Sequence, residues 1–442
     1  MKRNHRNLFS VAVVLLCLAL VTGAGILLLR ALPEKQAGTV DSIQTGAVFD
    51  QTNSTAAPDR EEAYEGDLPN LSNTVEPDES ETPQPEDEAA AAAVKLARQT
   101  LAGMTLDEKL WQLFFVTPEA ITGVETATLA GDATKAAIES MPVGGLVYFA
   151  KNLENRAQTV TLLKNSQSYS KIPLFLGVDE EGGTVSRLKT SGLAIDTGVG
   201  TMQSVGESAD PAAAYAAGQE LAGNLHALGF NLDFAPVADV SSGKNAAIGS
   251  RSFGTDPELC ASLAGIVSNA LTDGGVIPCL KHFPGYGGAA ADDHEGAVVI
   301  DKTLEELESC DLIPYRRILA DQDVPFIMVT HLRYPSVTGD NAPADLSSKI
   351  VTDLLRNKLG YANVIITDSH QMASITDDYT PAQAAVAAIA AGCDMILMPE
   401  DLQAAYDGLK AAVDAGTLTE ARIDESVLRI LTVKANYSLL TE

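Results

Sequence analysis

Basic residues are scarce in this chain of 442 amino acids: 30 Lys and Arg stand against 59 Asp and Glu, a formal net charge of −29 at pH 7. That balance excludes a polyanion such as DNA or RNA as partner, because phosphate binding needs a basic face. Cysteine is sparse as well. The five cysteines (Cys17, Cys260, Cys279, Cys310, Cys393) are scattered without a C-x-x-C pair, which rules out a disulfide-dense scaffold and a zinc ribbon. No G-x-S-x-G is present for a serine nucleophile, and no Gly-rich stretch is followed by Lys-Ser/Thr for a phosphate cradle. The histidines form neither H-x-H nor H-E-x-x-H. What remains is a chain 46% apolar and 20% charged, the composition of an acidic globular enzyme or binding domain with something attached in front.

The attachment is the N-terminus. Lys2, Arg3 and Arg6 precede an uncharged, mostly apolar run over residues 8–29 that ends at Arg30. As a helix this run reaches about 33 Å, enough to cross a hydrocarbon core of about 30 Å. The flanking cations predict a cytoplasmic N-terminus and an exported remainder. An uncleaved anchor is favoured because a signal-peptide core is shorter, with a cleaved signal peptide over residues 1–32 as the alternative. Residues 33–93 carry 15 acidic and 2 basic side chains and are rich in Pro, Ser and Thr. Too little apolar surface is available there to offset chain entropy, so the segment is expected to be a disordered acidic linker. The catalytic or binding domain is then residues 94–442.

Within that domain, short apolar runs alternate with helical-looking stretches. They are LFFV (113–116), GGLVYF (144–149), PLFLGVD (173–179), FNLDFAPVAD (230–239), GVIPCLKHFP (275–284), VPFIMVTH (324–331), NVIITD (363–368) and MILMP (395–399). Continuous apolarity fits strands covered on both faces, as in a parallel sheet. Eight such units predict a single (β/α)8 barrel of the TIM type, a doubly wound open sheet being the alternative, although no G-x-G-x-x-G follows an early strand. Asp179, Asp239, Lys281 with His282, His331 and Asp368 all fall at or near the ends of their runs. In a barrel those ends share one mouth, where reactive groups gather.

Which chemistry the mouth supports follows from the residue types. A metal site would need three or four convergent ligands, of which His282, Asp292 and His294 supply some. Carboxylate chemistry fits better. Asp368, on a rigid strand end in IITDSHQM, is placed to attack an anomeric carbon and form a covalent glycosyl intermediate. In ADDHEG, Asp292 and His294 are two residues apart and point the same way in an extended loop. Asp292 can thus orient the His294 ring and stabilise its protonated form; a solvated surface turn is the alternative.

At these residues the sequence resembles glycoside hydrolase family 3, in its β-N-acetylglucosaminidase branch. The resemblance runs from MTLDEKLWQL (104–113) to RIDESVLRIL (422–431), through PVGGLVYFAKN (142–152), VDEEGGTVSRL (178–188), NLDFAPVADV (231–240), IGSRSFGTDP (248–257), KHFPGYGGAAADDH (281–294), PADLSSKI (343–350) and IITDSHQM (365–372). It implies a (β/α)8 barrel, Asp368 as retaining nucleophile, His294 as general acid/base and Asp292 as its dyad partner. It also implies that Asp179, Arg187, Arg251, Lys281 and His282 bind the sugar, and that no metal or cofactor is required. Two departures stand out: Tyr286 and Gly288 replace a His and an Asp of the family's K-H-F-P-G-H-G-D, and His370 and Gln371 follow the nucleophile. The expected activity is an exported exo-β-N-acetylglucosaminidase acting on a carbohydrate, with terminal GlcNAc of peptidoglycan fragments as the expected source. The alternatives are a β-glucosidase and a weakened glycan-binding module.

Overall fold

The computed structural model describes residues 85–243, 246–289 and 296–441. The apolar run at 8–29 and most of the acidic segment lie outside them, as do Asp292 and His294. Among the described residues no helix is long and apolar enough to cross a membrane. The first described helix, Pro85–Ala102, takes in the Ala-rich end of the stretch read as a linker and packs on the last helix, Glu420–Asn436.

In chain order the strands are β1 (Phe114–Val116), β2 (Gly145–Val147), β3 (Phe175–Val178), β4 (Glu180–Gly182), β5 (Val185–Ser186), β6 (Leu232–Asp233), β7 (Ile277–Phe283), β8 (Phe326–Val329), β9 (Val364–Ser369) and β10 (Met395–Leu397). Eight of them close into a barrel in the order β1-β10-β9-β8-β7-β6-β3-β2. Every neighbouring pair is parallel, and β1 meets β10 with Phe114 opposite Ile396 and Phe115 opposite Leu397. All eight apolar runs of the sequence are barrel strands. They lack alternation because helices cover the outside while side chains fill the inside, and β7 is accordingly buried at all seven positions.

Packing inside the barrel depends on glycine. A Cβ on Gly145 or Gly177 would stand 2.7 Å from the Phe115 ring, which spans the interior and meets Phe234 edge-on at 5.1 Å. At the N-terminal end of the strands the last helix inserts Lys434, which is wholly buried. Its ammonium lies 2.7 Å from Gln112 Oε1 and 4.9 Å from the centre of the Phe175 ring. Burial pushes its pKa well below the ordinary lysine value.

Helix starts explain how the layers are punctuated. Thr105 and Thr303 form capping boxes with Glu108 and Glu306, and Asp210, Asp256 and Asp401 cap the helices that follow them. Each cap satisfies backbone donors where the chain leaves a loop, so the loops at the C-terminal strand ends are free to carry other chemistry.

Candidate active site

Asp179 is the residue immediately after β3, and the chain then folds back on itself. β4 and β5 form a small antiparallel ribbon turned by Gly182 and Gly183, whose φ angles of 79° and 59° are open to glycine without cost. The ribbon returns Arg187 to Asp179, Nη2 to Oδ2 at 3.3 Å, and lays its guanidinium over the Phe149 ring at 5.4 Å. It also sends Glu181 into the mouth.

Lys281, on β7, bridges two carboxylates there: its ammonium is 2.8 Å from Asp179 Oδ1 and 2.6 Å from Glu181 Oε1. Arg251, from the short turn Gly249–Arg251, grips the same glutamate with two hydrogen bonds of 2.8 Å. Burial opposes ionisation of Asp179 and Glu181, but the facing ammonium and guanidinium groups outweigh it and hold both carboxyls below their usual range. Burial likewise works against the charges of Lys281 and Arg251, and their carboxylate partners more than restore them. The four-residue network is ionised throughout.

His282 follows Lys281. Its Nδ1 meets Asp239 Oδ2 at 2.7 Å, and Arg251 Nη2 lies 3.3 Å from its Nε2. The guanidinium can only donate, so Nε2 accepts and Nδ1 carries the hydrogen that Asp239 takes. Asp239 is 1% exposed and also accepts from the backbone N–H groups of His282 and Tyr286. It holds the end of β7 in place and does not line the cavity. Tyr286, whose ring tilts against His282 at 5.4 Å, does line it. Gly288 faces Lys302, which pairs with Asp311 at 2.5 Å.

One cavity of about 490 Å³ is bordered by Asp179, Arg187, Arg251, Lys281, His282 and Asp368 together. Asp368 reaches it from the C-terminal end of β9, with Oδ1 accepting from the Ser369 N–H at 2.7 Å. Three carboxylates (Asp179, Glu181, Asp368) and three cations (Arg187, Arg251, Lys281) border this space, so its described wall has no net charge. Donors and acceptors alternate over an apolar floor that includes Met328, Met372 and Leu397. Such a wall suits a neutral polyhydroxylated ring, which both gives and takes hydrogen bonds, better than an anion.

Every sequence-derived sugar-contact residue and the strand-end Asp368 are brought together here. Two strand-end residues grouped with them are not: Asp239 supports His282 from below, and His331, wholly buried, lies behind β9. Glu181 escaped the sequence reading, although the Gly-Gly turn after it was a hairpin signal that aims one of the two adjacent glutamates inward. Among the described residues one group could hold a metal ion, His331, Asp345 and His370, whose ligand atoms lie within 4.8 Å of one another. All four described cysteines are free thiols.

Residues 105–433 match the family model described as the glycosyl hydrolase family 3 N terminal domain. The chain is 32% identical over 326 residues to the beta-hexosaminidase A of Pseudoalteromonas piscicida, an alignment covering 67% of this chain and 54% of that protein. It is 39% identical over 264 residues to the beta-hexosaminidase of Bordetella avium, covering 58% and 73%. A solved glycoside hydrolase family 3 beta-N-acetylglucosaminidase from Paenibacillus sp. str. FPU-7 superposes with a TM-score of 0.71 at 34% identity, over 77% of this chain and 64% of that one. The chain thus spans little more than half of the first of these relatives.

Proposed function

The chain belongs to glycosyl hydrolase family 3, and from that premise we propose that it is a retaining exo-β-N-acetylglucosaminidase. The observation that carries the reading is the single cavity bordered by Asp368 and by the Asp179, Arg187, Arg251, Lys281 and His282 side chains. Its size suits one sugar ring with its acetamido group, and its neutral wall suits an uncharged terminal residue.

In the proposed reaction His294, oriented by Asp292, gives its proton to the glycosidic oxygen as an Asp368 oxygen attacks C1 from the opposite face. The C1–O bond breaks and a glycosyl-aspartate forms. His294 then takes a proton from water, whose oxygen attacks C1 and releases Asp368, so configuration is retained. Asp179 accepts two ring hydroxyls, while Lys281 and Arg251 donate to hydroxyls or to the acetamido carbonyl. None of these steps calls on a metal or cofactor.

The residues preceding the domain extend the proposal to location. A membrane-spanning run at 8–29 and an acidic tether would hold the enzyme on the outer side of a bacterial membrane, next to peptidoglycan fragments bearing terminal GlcNAc. Protease digestion of intact cells should remove the domain; full protection would end this placement.

The activity test is direct. Asp368→Ala is expected to abolish turnover of an aryl β-GlcNAc, and undiminished activity would refute the assignment. His294→Ala should slow a substrate with a poor leaving group far more than one with a good leaving group, because only the former needs protonation. A wild type that hydrolyses aryl β-glucosides faster than aryl β-GlcNAc would redirect the substrate assignment.

A further inference from the structure

Directly behind Asp368 lies a polar cluster that the proposed reaction does not use. His331 follows β8, Asp345 sits in the short turn Ala344–Leu346, and His370 follows β9; all three are at most 2% exposed. Asp345 Oδ2 accepts from His370 Nε2 at 2.9 Å, and Asp345 Oδ1 stands 3.1 Å from His331 Nδ1. On its other side His331 Nε2 is 2.9 Å from the Ser369 carbonyl oxygen.

Donor and acceptor chemistry then fixes where the ring carries a hydrogen. A carbonyl only accepts, so His331 Nε2 carries a hydrogen. At Nδ1 the neighbour is an Asp345 carboxylate oxygen at 3.1 Å. Burial raises the Asp345 carboxyl, but the two imidazoles outweigh this and bring it down to about 2, so it faces both rings as a carboxylate. His331 is thus a donor to Ser369, held from its other edge beside the Asp345 carboxylate.

What this pair holds is the backbone next to Asp368. The Ser369–His370 peptide is gripped at both ends: its carbonyl by His331, and its N–H by the Leu397 carbonyl on β10 at 2.9 Å. One residue earlier, the Ser369 N–H is the donor to Asp368 Oδ1. With Oδ1 engaged, Oδ2 is the oxygen left for attack. Rotation of the clamped peptide would swing both the donor and the carboxylate.

We propose that His331 and Asp345 are positioning residues for Asp368: the histidine–carboxylate pair, steadied by His370, fixes the Ser369–His370 peptide and thereby the direction of the nucleophile's free oxygen. The proposal rests on the reading of Asp368 as the attacking group.

Two variants and one spectrum test it on the full chain. His331→Leu removes the donor to Ser369, whereas His331→Gln places an amide N–H near the position of Nε2. A misaimed nucleophile costs about 10²-fold in kcat. His331→Leu is therefore expected to lose about that much on an aryl β-GlcNAc, with KM and binding of free GlcNAc within about threefold of wild type. His331→Gln should recover about tenfold in kcat while melting no higher than His331→Leu, since it also lacks the Asp345 partner. Equal loss in both variants, or a loss confined to KM, would overturn the proposal.

Nitrogen-15 histidine spectra of the wild type, with His331→Gln to assign the signal, should show Nε2 of His331 carrying a proton at neutral pH. An unprotonated Nε2, bare or metal-bound, would overturn it even if His331→Leu failed to fold. Should the wild type prefer another aryl β-glycoside, the kinetic comparison is made on that substrate. A wild type inert towards every glycoside would defeat the functional reading, while the spectrum still decides the state of His331.

Discussion

Replacing Glu181 by Gln probes the network that holds the cations bordering the cavity. Glu181 is 3% exposed and meets Lys281 at 2.6 Å and Arg251 at 2.8 Å through two nitrogens. Asp179 would still serve Lys281, but Arg251 would keep only an amide oxygen and would have an NH2 against one of its own donors. Removing one partner of a buried ion pair costs about 3–5 kcal/mol because the other charge is left desolvated. For a folded unit of about 350 residues the entropy of unfolding near Tm is about 0.7 kcal/mol/K, so Tm should fall by about 4–7 °C. With Arg251 and Lys281 less well aimed, kcat/KM for the aryl glycoside should drop about 10- to 100-fold. The pH dependence has a definite sign. The folded pKa of Glu181 lies below the unfolded value of about 4.3, so its contribution is fully present above that pH and declines as pH falls below it. The Tm gap between wild type and Glu181→Gln should therefore be constant from about pH 5 to 7 and narrow in stronger acid. Calorimetry across that range, with steady-state kinetics at one pH, checks all three. A Tm within about 1 °C of wild type together with unchanged kcat/KM would refute the reasoning.

Lys434→Met keeps the shape of the side chain while removing a buried amine whose pKa is depressed. Between its folded value and the unfolded value of about 10.4 the unfolded chain binds more protons, so wild-type stability rises with pH there. Denaturant melts should show the wild type gaining on Lys434→Met from about pH 8 to 10, and a gap that ignores pH would count against a desolvated amine. Gly177→Ala puts a methyl 2.7 Å from the Phe115 ring and 3.2 Å from that of Phe234. Overpacking of this kind costs about 1–3 kcal/mol, readable as a lower urea midpoint at unchanged slope; an unshifted midpoint would mean the barrel interior yields more than its packing indicates.

The barrel was legible in the sequence because its evidence is local. A strand covered on both faces needs an uninterrupted apolar run, and each of the eight runs contains a barrel strand. Placement of Asp179, Lys281, His282 and Asp368 at strand ends followed from the same runs, since a parallel barrel sends every C-terminal end to one face. The two-stranded ribbon β4–β5 was not read, and with it went the distinction between Glu180 and Glu181. In the ribbon these neighbours point opposite ways. Glu180 turns away from the mouth to accept from the Leu188 N–H, and burial raises its carboxyl, whereas Glu181 faces two cations that depress its own.

Chain order alone therefore determined the architecture and much of the chemical inventory of the mouth, because apolar continuity and strand-end position are properties of adjacent residues. Only the tertiary structure decided which acid meets which base: Glu181 and Arg251 are 70 residues apart, Asp179 and Lys281 are 102, and His331 reaches Ser369 across 38. Charge pairing and ring protonation depend on distances of a few ångströms and on exclusion of water, and both come into existence when the eight strands close.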